Sequence, residues 1–236
     1  MTPVRLAPLV ALALALAVPS FAQSGRWSVG LGGDYVTGYT HAVTPRSSFV
    51  FGSNPPETAA LPGTWAGNLS VRRRVSDVVT LAAETSYLPF DGDFETIDWV
   101  GYSGSSDPPP TGSLRARFVT LGIGPRFTRS HPGWRTRVFL DLAPVVIWSE
   151  HESSTGRFAT GGGMVHERRS ARAWLGGVLV GGGFGGPIRP RLGYEVRVRY
   201  LRSSDPDSRA VHDVYYSRNL RGLSTFLVGL GLTLSP

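Results

Sequence analysis

The chain has 236 residues, 41% of them hydrophobic, and no cysteine, so disulfides, thiol catalysis and cysteine-ligated metal centres are excluded. Its formal net charge is +7, but the 24 basic residues are all arginine and are spread along the whole chain, which argues against a nucleic-acid partner. A mean hydropathy of -0.03 leaves no room for helical spans beyond the N-terminal run, while it suits a membrane barrel, whose strands are only half apolar.

In chain order, Arg5 precedes an apolar run from about Leu6 to Val18 that ends in Ser20-Phe21-Ala22. That run is shorter than the ~20 apolar residues a spanning helix needs and is followed by a small-x-small cleavage site, so residues 1–22 read as a signal peptide and residues 23–236 as the barrel domain. Eight alternating segments follow. The first covers 27–37, with Trp27, Val29, Leu31 and Tyr35 on one parity and Ser28, Gly30, Gly32 and Asp34 on the other. A long Gly, Pro and Ser-rich loop leads to the second at 65–74, and Ser76-Asp77 turns it into the third at 79–87. A loop over 88–113 leads to residues 114–148, two runs of about ten residues folded across Ser130-His131-Pro132-Gly133 as a β-hairpin. A third loop over 149–170 follows, then strands at 171–184, 192–200 and 220–234.

Short turns alternate with long polar loops, which predicts an all-β, eight-stranded antiparallel up-and-down transmembrane barrel with four long external loops and three short periplasmic turns. One parity carries aromatics near the strand ends, Trp27, Trp65, Tyr87, Phe127, Trp134, Trp148, Trp174, Phe184 and Tyr200, which read as an interfacial girdle. The other parity carries the mid-strand charges, so Asp34, Arg72, Glu84, Arg126, Arg137, Asp141, Glu195, Arg197 and Arg199 are expected to form a paired polar network in the lumen. Eight strands enclose just enough space for side chains, so such a network plugs the barrel. Pro125 and Pro144 lie inside strands, where they cannot donate to a ladder, and read as bulges.

On the strand pattern, the Leu121 to Phe127 run LGIGPRF and the alternating Phe226, Val228, Leu230, Leu232 and Leu234, the chain resembles the small OmpA/OmpX-like outer-membrane barrel proteins over about Trp27 to Leu234. The resemblance implies export to the outer membrane, contact with its lipid and lipopolysaccharide, insertion by the barrel-assembly machinery, a monomer, and no cofactor. It departs from the family at Leu234-Ser235-Pro236, where members usually carry a terminal aromatic.

Since such barrels serve several ends, the function expected is a non-enzymatic structural or interaction role through the external loops, with two alternatives. A lipid A deacylase-like enzyme needs a Ser, a His and a carboxylate, for which His151-Glu152-Ser153 with Glu150 or Glu167, or His212 and Ser217, are the candidates. The Asn and Gly that follow the Ser in the deacylases are absent, and His212 and Ser217 are five apart, on opposite faces of a strand. A metal at His151, Glu152, His166 and Glu167 lacks a tight ligand motif. The second alternative is a narrow solute channel.

Overall fold

Alternation at period two places every second side chain on one face, and a sheet with one apolar and one small or charged face escapes its edges only by closing on itself. The chain does this. The computed structural model describes residues 27–43, 57–95, 111–130, 133, 135–158, 164–204 and 222–235. Its strands are β1 Trp27–Val36, β2 Tyr39–Val43, β3 Glu57–Leu61, β4 Thr64–Arg74, β5 Val79–Glu95, β6 Thr111–Ser130, β7 Arg137–Phe158, β8 Met164–Arg189, β9 Leu192–Ser203 and β10 Ser224–Leu234. Eight of them form a closed barrel in the ring order β1-β10-β9-β8-β7-β6-β5-β4, each antiparallel to its neighbours. Closure is made by β1 against β10, from Val29↔Leu234 to Val36↔Leu227.

Three short connections lie at one end of the barrel, at 75–78, between Ser130 and Arg137, and at 190–191, and the first is held by Val79, whose carbonyl accepts from Val75 and Ser76 at 2.9 and 3.0 Å. Gly133, at φ +83°, takes a conformation in the second turn that a side chain would resist. The other four connections, after Val36, Glu95, Phe158 and Ser203, leave from the opposite end. One of them carries β2 and β3, paired as a separate two-stranded sheet between β1 and β4.

The strands next to the long connections run further than the sequence suggested. Residues 88–113 and 149–170 do not form simple loops: β5, β6, β7 and β8 extend for 17, 20, 22 and 26 residues, well beyond the ~10 that cross a bilayer. Pro89 and Gly92 made the first of these stretches look like a loop, yet they pair with Arg117 and Leu114 in an unbroken ladder. At the other margins β1 stops at Val36 and β10 starts at Ser224, slightly inside the bounds read from sequence.

The two strand prolines are not bulges. Leu81↔Pro125 and Pro144↔Val178 belong to regular ladders on the outer sides of β6 and β7. Between these two strands the pairing stops at Gly122↔Val145 and resumes at Arg126↔Asp141 in the same register. Both missing donors thus fall on one seam, where each faces the other strand's gap. The strands stay close there: a Cβ on Gly124 would lie 2.0 Å from the Leu142 carbonyl oxygen.

The outward faces expose large apolar side chains around the wall, among them Leu31, Leu121, Ile123, Leu140, Leu142, Val146, Val198, Phe226 and Leu230. The buried side chains fill the lumen.

Candidate functional site

The lumen has two layers, and each follows from the inward parity of the strands. In the half nearer the turns, charge fills it. Arg126 donates from Nε and Nη2 to the two carboxylate oxygens of Asp141 at 2.6 and 2.8 Å, and from Nη1 to Glu195 at 2.6 Å. Arg72 grips the same Glu195 bidentately, with Nη2 to Oε2 at 2.8 Å. A second group centres on Asp34, which is fully buried and accepts from Arg197 Nε at 3.0 Å, Arg199 Nη2 at 2.6 Å and Asn68 Nδ2 at 2.7 Å. Arg199 also pairs with Glu84, which lies 3.7 Å from Arg197. Four arginines therefore meet four carboxylates. Leaving any one member alone in this buried interior would carry a desolvation cost of several kcal/mol, by order of magnitude.

Small residues level with the charges make the space. Asp34 faces Gly229, which faces Arg197 across three adjacent strands, and a Cβ on Gly229 would meet Asp34 Oδ1 at 1.7 Å. Asp141 and Arg199 are likewise separated by Gly181, where a Cβ would meet Arg199 Cγ at 2.4 Å. Phe139 floors the first group, its ring 3.9 Å below the Arg126 guanidinium carbon.

Of the nine lumen residues singled out from sequence, the structure joins eight: Asp34, Arg72, Glu84, Arg126, Asp141, Glu195, Arg197 and Arg199. Arg137 does not join them. It has inward parity but is the first residue of β7, and its exposed side chain lies at the mouth beyond the network. Asn68, which completes the shell of Asp34, shows in sequence only as one more inward polar residue.

In the half nearer the long connections, the lumen is mostly apolar, with Ser149 and His151 buried among the hydrocarbon side chains. Leu88, Phe90, Leu114, Ala116, Phe118, Val145, Ile147, Leu175, Leu201, Leu223 and Leu227 are buried together, and Leu61 of β3 joins them. Phe90 and Phe118 meet edge to face at 5.9 Å, and Phe118 meets the His151 ring at 5.4 Å. The paired polar core expected from the sequence thus fills the turn-end half of the lumen and not this layer. The layer's signal is the inward parity of Leu114, Ala116 and Phe118, while Leu88 and Phe90 lie in the stretch 88–113 that the sequence presents as a loop.

The candidate catalytic residues do not assemble among the described residues. His151 points inward and is buried, whereas Glu150 lies on the outer face, held by Arg172 at 2.7 Å with Arg117 at 3.8 Å, so it cannot orient the imidazole. In the ladder His151 faces Ala171, while His166 faces Gly156 and Glu167 faces Thr155, which separates the two histidines along the strands by roughly 15 Å at ~3.3 Å per residue. Among the described residues no group of three or more metal-ligating side chains comes together. The side chain of Ser153, and both His212 and Ser217, fall outside the described residues.

The girdle aromatics lie in two tiers. Tyr87, Trp148 and Trp174 are level across β5 to β8, and Trp65 and Tyr200 lie at the same end. Trp27, Phe127 and Phe184 lie at the turn end, with Arg73 stacked 5.5 Å over Trp27. Trp65 and Trp174 are the most exposed of the set, at 70% and 69%, and Trp134 lies outside the described residues.

Neither a protein-family model nor a curated protein matches the chain. Solved structures are similar to it. A major outer membrane protein from Thermus thermophilus is 14% identical over 89% of this chain and 98% of its own, with a TM-score of 0.48. Ail, the attachment invasion locus protein of Yersinia pestis, solved with the heparin analogue sucrose octasulfate, is 13% identical over 89% of this chain and 99% of its own, at 0.43. Neisserial surface protein A is 11% identical over 90% and 98%, at 0.39. At these identities the likeness is one of fold.

Proposed function

We propose that this chain is a non-enzymatic outer-membrane barrel that conducts no solute and acts through whatever its long-loop end contacts. The apolar wall between two aromatic tiers supports the membrane assignment, because such a surface would be untenable in water at this extent. On this reading the turns face the periplasm and the long connections face outward, residues 1–22 direct export, the wall touches membrane lipid and the outer tier lipopolysaccharide, assembly machinery inserts the barrel, and it works as a monomer.

The observation that carries the reading is the neutral eight-membered ion network across the lumen. Among the described residues it fills the lumen and is capped on the loop side by a mostly apolar layer, which leaves ions and polar solutes no continuous route through them. Purified protein in planar bilayers is expected to be silent. Large stepwise currents from the wild type would overturn the reading, and lipid A of altered acylation controlled by this gene would overturn its non-enzymatic half.

A further inference from the structure

The ion network is neutral, whereas the mouth beneath it carries an excess of positive charge. At the turn end the lumen opens into a basin of about 320 Å³. Arg74 from the end of β4, Arg137 from the start of β7, and Arg189 and Arg191 around the β8–β9 turn converge on it from three parts of the chain. The acid that lines the basin, Glu195, is already held by Arg72 and Arg126. Arg74 meets the Ser76 carbonyl and the exposed Asp77 within its own turn, and that exposed ion pair contributes little. Arg137, Arg189 and Arg191 form no ion pair among the described residues.

Arg72, on the floor of the basin, spends its Nη groups on Glu195, and its Nε, like that of Arg199, is buried without a hydrogen-bond partner. The basin therefore combines excess positive charge at its rim with donors in the fork geometry of guanidinium.

We infer that the turn-end mouth is a binding site for a compact phosphate-bearing anion. Phosphate fits better than a carboxylate, because its tetrahedral oxygens can be shared by several guanidinium forks and its charge of about two offsets more of the excess at the rim. The volume admits one such group with a small organic substituent and excludes a folded partner. The phosphate could arrive free, as a soluble ester, or on the headgroup of a lipid lying against the rim. Placing the site in the periplasm rests on the outer-membrane reading; the binding itself does not.

The test uses the full barrel in zwitterionic detergent, titrated calorimetrically with pyrophosphate at constant ionic strength. Arg137→Gln combined with Arg191→Gln is expected to weaken binding at least tenfold, while Arg115→Gln at the opposite rim leaves it unchanged; both alter exposed side chains outside the network, and thermal melting verifies that they fold. A parallel arm measures retention of phosphatidylglycerol over phosphatidylcholine by native mass spectrometry. Anionic lipid that competes with pyrophosphate and is lost in the double variant assigns the phosphate to a headgroup; pyrophosphate binding without lipid retention assigns it to a soluble ester. Absence of both, or binding indifferent to the double substitution, overturns the site. Membrane fractionation, which reports location alone, tells this failure from a failure of the outer-membrane reading.

Discussion

The two layers of the lumen solve the same problem, filling a closed cylinder, by opposite chemistry. Near the turns the fill is directional: Arg126 meets Asp141 and Glu195 through forks that tolerate little displacement, so the layer locks the relative heights of β6, β7 and β9. Near the loops the fill is Leu, Phe and Ile, which exclude water while specifying position only through shape. The difference teaches that a plug and a core are not alternatives in a barrel this narrow. The charged layer sets register, and the mostly apolar layer lets the long strands continue past it with few polar groups to satisfy.

The comparison breaks most sharply at Asp34. Asp34→Ala removes the carboxylate shared by Arg197, Arg199 and Asn68 and should cost ~5 kcal/mol of stability, measured by urea unfolding from lipid vesicles. Phe118→Ala in the apolar layer should cost ~3 kcal/mol; a loss equal to or above that of Asp34→Ala would mean that the apolar layer, and not the charged one, dominates the lumen. Leu121→Arg, on the outer wall level with the boundary between the layers, should cost ~2 kcal/mol in bilayers and far less in detergent, which separates wall from lumen. Arg137→Gln should change stability by under ~0.5 kcal/mol, because it stands outside the network; a loss comparable to Asp34→Ala would place it inside.

How far the sequence could be read differed between the layers. Glu84, Asp141, Glu195 and Arg197 stood out because a charge in mid-strand has only one face on which it can lie. Their pairings stayed hidden, since the contact of Asp34 with Arg197 depends on the register of three strands and on Gly229 between them. Leu88 and Phe90 were lost for a different reason. They alternate with Pro89, Asp91 and Gly92, residues that locally favour a turn, and only the partner strand β6 holds them extended. Arg137 shows the limit of parity, which fixes the face of a side chain but not its height along the barrel. Pro125 and Pro144 could each be flagged as a defect; that they share one seam is a fact of tertiary register.

That shared seam has a mechanical consequence. Between Gly122 and Arg126 the wall is joined by contact, with Gly124 set so tightly against Leu142 that any side chain would intrude, and not by a full ladder. Separating two strands along a full ladder means breaking hydrogen bonds. Here a small increase in girth costs mainly dispersion, so among the described ladders this seam is a compliant stitch in the circumference of the barrel.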